Sequence, residues 1–376
     1  MKPVSYTIEE LAEHKSAGVP EAALANLRRT ADSFLERKII RVTEIPIPRP
    51  SGDLHDYISV SPYRWPNPDT PDGLPWVRRD GEFNPEVAKN PRANAVYNIV
   101  KTLALAAFYF EDKREEYASR AVLQIYDWFI NPETRVNPNG KYAQSIPGVC
   151  EGCSPGIIDF SGNSALFDGM MILSSLGYLD DKTDDGVAEW FREFSNWLMT
   201  HDEIGIMEGY ASDNHGAWYD EQILCPAIYS GRDALVRRVL RSSYAARTRL
   251  MIDREGRQPR EMLRTNPIGY SFYALGALVQ IAHIAERLGY GEYWSADEDR
   301  GYCILKKAID YLYPFVKDPD SFHQFDINKG KHSRNMIKML YVLDKRFPSE
   351  GYLEKAREIG DCPEMATEQW RLEPIL

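Results

Sequence analysis

The chain has 376 residues, with 45 basic and 56 acidic side chains and a formal net charge of −11. At 43% hydrophobic and 27% charged residues its composition is that of a globular protein, not of a disordered or fibrous one. The negative balance argues against a general binder of nucleic acid or anionic membrane, which needs a positive surface, and no uninterrupted apolar run reaches membrane-spanning length.

In chain order, the opening stretch MKPVSYTIEELAEHKSAG lacks the apolar core of a secretory signal. Lys38–Ile47 is the best strand candidate, because alternating runs are scarce elsewhere. Pro46–Pro91 follows as a long irregular stretch rich in Pro, Gly, Asp and aromatics. Apolar residues at three- and four-residue spacing then predict helices over Asn94–Phe110 and Glu115–Ile130. A second irregular stretch, Asn131–Asp159, is rich in Gly and Pro. Beyond it the same spacing predicts Gly162–Leu176, Val187–Thr200, Ala217–Ser230, Ala234–Leu250, Tyr270–Leu288 and Tyr302–Val316. The early helices are apolar on most faces, as helices of an inner layer are. Irregular stretches of this length are usually binding loops or linkers. Their Tyr, Trp, Arg and Glu content favours loops that form a site, at about 46–91 and 131–159. No shift in composition divides the chain and no fixed-period repeat occurs. The reading is therefore an all-α fold, a single domain of stacked helix pairs over residues 1–376.

Five cysteines (Cys150, Cys153, Cys225, Cys303 and Cys362) are too few for a disulfide scaffold. Cys150-Glu-Gly-Cys153 has the spacing of a redox pair or half a zinc site, but a second close Cys/His pair is missing, which favours two incidental cysteines. His14, His201, His283, His323 and His332 show no metal-ligand spacing, and no phosphate loop or nucleophile elbow is present. No metal and no cofactor is expected.

Three clusters carry residue types suited to chemistry. The densest runs from Glu208 through Tyr210, Asp213, Asn214, His215 and Trp218 to Asp220. A carboxamide and an imidazole at a helix N-terminus can hold a carboxylate or an oxyanion. The plainer alternative is that Asp213 or Asn214 caps a helix and His215 is a turn residue. Downstream, Arg257, Arg260 and Arg264 precede Tyr270 and Tyr273 at the start of an apolar helix. Arginine offers a planar fork for carboxylates; a solvated basic loop with two packed tyrosines is the alternative. The third cluster, His55–Gly81, interleaves Tyr63, Arg64, Trp65, Trp76, Arg78 and Arg79 in a Pro-rich loop suited to sugar rings and acidic groups, or simply to fastening the loop.

Four stretches in order, YISVSPYRWPNPDTPDGLPWVRRDGEFNPE, SIPGVCEGCSPGIID, DNHGAWYD and PREMLRTNPIGYSFYALGAL, resemble the alginate lyase family of polysaccharide lyases over about His55–Leu288. The resemblance implies an incomplete (α/α) toroid of helical hairpins and cleavage of a uronic-acid polysaccharide, alginate or glucuronan, by β-elimination. It implies that Asn214 and Arg264 neutralise the uronate carboxylate, with Arg260 as an alternative, and that His215 and Tyr270 share the base and acid roles. Tyr63, Arg64, Trp65, Glu151, Glu208, Trp218, Arg260 and Tyr273 are expected to bind substrate, Glu208 and Glu151 either through sugar hydroxyls or by orienting His215. The expected partner is an anionic polysaccharide, not nucleic acid or membrane. The expected location is secreted or periplasmic with the signal removed, the cytoplasm staying open.

Two other classes stand beside this reading. A glycoside hydrolase on the same scaffold would use two carboxylates, such as Asp213 and Glu208. A non-catalytic uronan-binding protein would use the cleft without turnover. The uronate, endo or exo action and the oligomeric state are not legible.

Overall fold

A computed structural model describes residues 4–360 and 367–374; Cys362 lies outside the described residues. Helices α1 (Ile8–Ser16) and α2 (Glu21–Glu36) come first, and α3 (Ala93–Tyr109) and α4 (Arg114–Ile125) follow the first long loop. After the second loop come α5 (Ser164–Ser175), α6 (Asp181–Thr200), the single turn α7 (Met207–Gly209), α8 (Asn214–Tyr229) and α9 (Asp233–Ser243). The short α10 (Arg249–Met251) and α11 (Pro259–Met262) lead to α12 (Pro267–Arg287), α13 (Ile304–Lys317), α14 (Ser333–Arg346) and α15 (Tyr352–Glu358). π-helical turns at Tyr126–Ile130 and Tyr244–Thr248 prolong α4 and join α9 to α10, so the predicted spans Glu115–Ile130 and Ala234–Leu250 are continuous helical stretches. The fold is predominantly α-helical with little strand, which bears out the all-α, (α/α)-hairpin class.

Contacts group the chain into two compact units. The first holds Leu27–Ala211 and Tyr219–Asp233; the second holds Ser5–Asn26, Ser212–Trp218 and the chain from Ala234 onward.

In the first unit α3 packs against both α4 and α5. Val96, Tyr97, Val100, Leu103, Leu105 and Ala107 of α3 are all buried, so it is enclosed on most faces, as its sequence predicts. α6 instead buries one stripe, Val187, Trp190, Phe191, Phe194 and Leu198, and its start is fixed by Asp180, whose carboxylate accepts the Thr183 N–H at 2.7 Å.

The predicted strand Lys38–Ile47 does not form; a 3-10 turn, Val42–Glu44, occupies its centre. Its backbone finds side chains where a strand finds a neighbour. Ile40 donates its N–H to Gln124 Oε1 and accepts from Gln124 Nε2, each at 2.9 Å. The buried Arg49 guanidinium gathers the carbonyls of Val42, Ile45, Ile47 and Asp56. With those groups satisfied, no partner strand is needed.

The strands lie in the two long loops. β1 (Ile58–Val60) and β2 (Arg64–Trp65) are in the first loop with β3 (Val77–Arg78), and β4 (Tyr142–Ser145) is in the second. β1 pairs with β4 in parallel and β2 with β3 antiparallel, so one ladder ties the loops together and the other folds the first loop back on itself.

In the second unit α11 through α15 pack in succession. α12 is long and apolar enough by composition to cross a membrane, but 78% of its most apolar window is buried within the protein. Asn266 begins it, accepting the Gly269 N–H on Oδ1 at 3.3 Å, and Pro267 takes the first helical position, where no N–H is needed.

Candidate functional site

The second unit brings most of the predicted chemistry together. Asp213 caps α8, its Oδ1 accepting the His215 N–H at 3.1 Å, so the capping alternative holds for this residue. Asn214 and Trp218 follow on one face of α8, four residues apart, and Tyr270 and Tyr273 share a face in the first turns of α12. The Trp218 and Tyr273 rings meet at 5.2 Å between centroids, which links those two faces. The Arg264 guanidinium carbon lies over the Tyr270 ring, 3.8 Å from its centroid, while Arg260 is exposed on α11. The structure therefore joins Arg264, not Arg260, to Tyr270.

Glu261 completes the cluster and has no role in the sequence reading. Its carboxylate accepts the Asn214 backbone N–H at 2.6 Å and the Asn214 side-chain amide at 3.0 and 3.1 Å. Burial pushes its carboxyl above the ordinary glutamate range, with Asp213 adding to the effect and the Asn214 hydrogen bonds and Arg264 opposing it. In the sequence it is one glutamate among arginines, and its partner is 47 residues away.

The remaining predicted residues lie in the first unit. Arg64 and Trp65 form β2, with the Arg79 guanidinium carbon 5.0 Å from the Trp65 ring centroid and the indole N–H donated to Glu82 C=O at 3.1 Å. Tyr63 meets Phe83 edge-on at 6.3 Å. All three are half-buried, Glu151 is exposed and Glu208 is buried. The loops are held by Asp159, fully buried, which accepts from the Tyr57 and Ser59 hydroxyls and from Gln144 Nε2. The glycines of the SIPGVCEGCSPG stretch have a packing purpose. A Cβ on Gly152 would sit 2.1 Å from the Lys141 carbonyl oxygen, and one on Gly156 would sit 2.2 Å from that of Ala143. Cys150 and Cys153 are free thiols, and burial pushes that of Cys153 up to about 12. Among the described residues no group of His, Cys, Asp and Glu could hold a metal ion.

The alginate lyase family model matches residues 41–322. The chain belongs to the alginate lyase family. An alginate lyase from Bacteroides ovatus is similar to this lyase over 99% of this chain and 98% of its own, at 31% identity and a TM-score of 0.91. Alginate lyase A1-III from Sphingomonas species A1 covers 95% and 98% at 17% identity and a TM-score of 0.54, a likeness of fold alone. A histidine-to-alanine form of A1-III complexed with a tetrasaccharide gives 15% identity and a TM-score of 0.55 over 95% and 97%. No curated protein sequence matches. This chain is thus a polysaccharide lyase, an enzyme that breaks its polymer by β-elimination.

Proposed function

We propose that the lyase cleaves a mannuronate-rich alginate or a glucuronan, leaving a 4,5-unsaturated uronate on the new non-reducing end. Removing the C5 proton of a uronate is difficult because the adjacent carboxylate is already negative. Arg264 and Asn214 neutralise that carboxylate, so charge from the breaking C5–H bond spreads into it. His215, or Tyr270 itself where the C5 proton and O4 share a face, takes the proton; the electron pair turns the C4–C5 bond into a double bond and expels O4, which Tyr270 protonates. The observation that carries this reading is the Arg264 guanidinium carbon 3.8 Å from the Tyr270 ring centroid. A cation there favours negative charge on a carboxylate bound beside it.

Tyr63, Arg64, Trp65, Trp218 and Tyr273 are proposed to bind neighbouring sugars through ring faces and cationic edges, with Arg260, Glu151 and Glu208 as further contacts. A polymer substrate fits a secreted or periplasmic enzyme.

The test is incubation with polymannuronate, polyguluronate, glucuronan and a neutral glucan, following ultraviolet absorbance of the new double bond. Absorbance should rise on polymannuronate or glucuronan and stay flat on the neutral glucan. A rise on polyguluronate alone overturns the substrate assignment. New reducing ends without absorbance would mean hydrolysis.

A further inference from the structure

Asn214 serves the elimination only if the correct end of its carboxamide faces outward. The substrate carboxylate accepts hydrogen bonds and cannot donate one, so it needs the NH2 end. An ionised Glu261 is also acceptor-only, and it draws that same NH2 to itself: both of its oxygens lie 3.0–3.1 Å from Asn214 Nδ2. The carbonyl end of the amide is then left for a second acceptor, which is repulsive.

We propose that Glu261 is a positioning residue that decides which end of the Asn214 carboxamide faces the substrate, and that it does so as the neutral acid; this rests on the reading of Asn214 as a partner of the substrate carboxylate. The change leaves the backbone and Glu261 where they are, because a half-turn of the amide exchanges the positions of its O and NH2 and puts the oxygen 3.0 Å from Oε2 and 3.1 Å from Oε1. Glu261 Oε1, 2.6 Å from the Asn214 backbone nitrogen, stays the acceptor of that N–H. Oε2 carries the proton and donates it to the amide oxygen now standing where Nδ2 stood, 3.0 Å away. The NH2 is released to the substrate. The proton comes from solvent and remains on the carboxyl throughout turnover.

The surroundings favour the acid. Glu261 is 1% exposed, and burial is the largest influence raising its carboxyl. Asp213, at the cap of α8, adds a like charge; Arg264, on the turn after α11, acts in the opposite sense.

The experiment compares kcat/KM across about pH 5–10 on polymannuronate and glucuronan for the wild type, Glu261→Gln and Asn214→Ala, with the melting temperature of each. A glutamine offers C=O and NH2 where the neutral acid offers C=O and OH. Glu261→Gln should keep the optimum rate within ~3-fold, and it should lack the part of the wild-type decline at rising pH that comes from Glu261 losing its proton. Asn214→Ala should lose ~10²–10³-fold and lack the same part of the decline, because no carboxamide remains to be turned. Superimposable profiles for the wild type and Glu261→Gln overturn the proposal. So does a loss in Glu261→Gln as large as in Asn214→Ala at native melting temperature. If Glu261→Gln does not fold, the Asn214→Ala profile decides, and an unchanged decline overturns it. An Asn214→Ala enzyme with wild-type rate would instead remove the underlying reading of Asn214; a slow Asn214→Ala beside an unaltered Glu261→Gln profile removes only the role of Glu261.

Discussion

Arg264 has two geometric demands that a lysine cannot meet together. Its guanidinium carbon lies 3.8 Å from the Tyr270 ring centroid, and its fork of N–H groups is proposed to engage a carboxylate. An ammonium has neither a plane nor a fork. Arg264→Lys is therefore expected to keep the fold and charge yet lower kcat by ~10–10²-fold on the best polyuronate, because the lost interaction is strongest in the transition state. A variant within twofold of wild type would show that charge alone suffices. For the proton carriers, Tyr270→Phe should cost ~10²–10⁴ in kcat with unchanged circular dichroism, the usual worth of a positioned acid or base. His215→Ala separates two stereochemical cases. Where the C5 proton and O4 lie on opposite faces, its loss should match that of Tyr270→Phe. Where they lie on one face, as in mannuronate or glucuronate, a tyrosine can serve as both base and acid. A near-wild-type His215→Ala on those substrates would assign both roles to Tyr270.

The loops depend on a few buried groups drawn from distant stretches of chain. Asp159 collects Tyr57, Ser59 and Gln144, with the Arg92 guanidinium 3.5 Å away, and so fastens the first loop to the second. Asp159→Asn removes the charge and turns one acceptor into a donor; with its oxygen toward the Tyr57 and Ser59 hydroxyls, its NH2 faces the Gln144 amide and Arg92. A loss on the order of 2–4 kcal/mol in stability is expected, measured by urea unfolding, together with faster proteolysis within residues 46–91. If the loops carry subsites, KM rises more than kcat falls. The same long-range logic marks what the sequence reveals. α8 and α12 are legible because their signals are local: a capping Asp213 or Asn266, a first-turn proline in α12, then apolar spacing. α1 is equally local, since Thr7 and Glu10 form a reciprocal cap, yet α1, α2, α14 and α15 fall outside the predicted helices. Lys38–Ile47 looks like a strand because the side chain that satisfies it, Gln124, is 84 residues away. Asn214, Arg264 and Tyr270 are legible through motif resemblance. Glu261 is not, because its burial and its grip on Asn214 exist only after α8 and α11 have met.

At the scale of the whole molecule, two buried titratable groups set opposing pH limbs of stability, one in each compact unit. Glu221 caps α5, accepting the Gly162 and Ser164 N–H groups at 3.0 and 3.2 Å, and burial raises its carboxyl to about 7. A carboxyl raised in the folded state contributes stability that is full below its unfolded value near 4.3 and is lost as pH climbs through about 7. His283 is the mirror case. It meets the Ser5 carbonyl through Nε2, and burial, with Lys345, Arg346 and Arg287 nearby, lowers it to about 4. Its contribution is full above an unfolded value near 6.5 and is lost as pH falls through about 4. Each limb is worth on the order of 3 kcal/mol. Between about pH 4.3 and 6.5 the two slopes oppose each other and flatten the wild-type melting curve. Single variants unmask them. With Glu221→Gln the melting temperature should rise with pH across that window, and with His283→Gln it should fall, continuing down toward about pH 7. Scanning calorimetry at closely spaced pH values gives both difference curves against the wild type. A flat difference curve for either variant would mean that the group keeps the same proton in the folded and unfolded chain, and that its burial is relieved in solution.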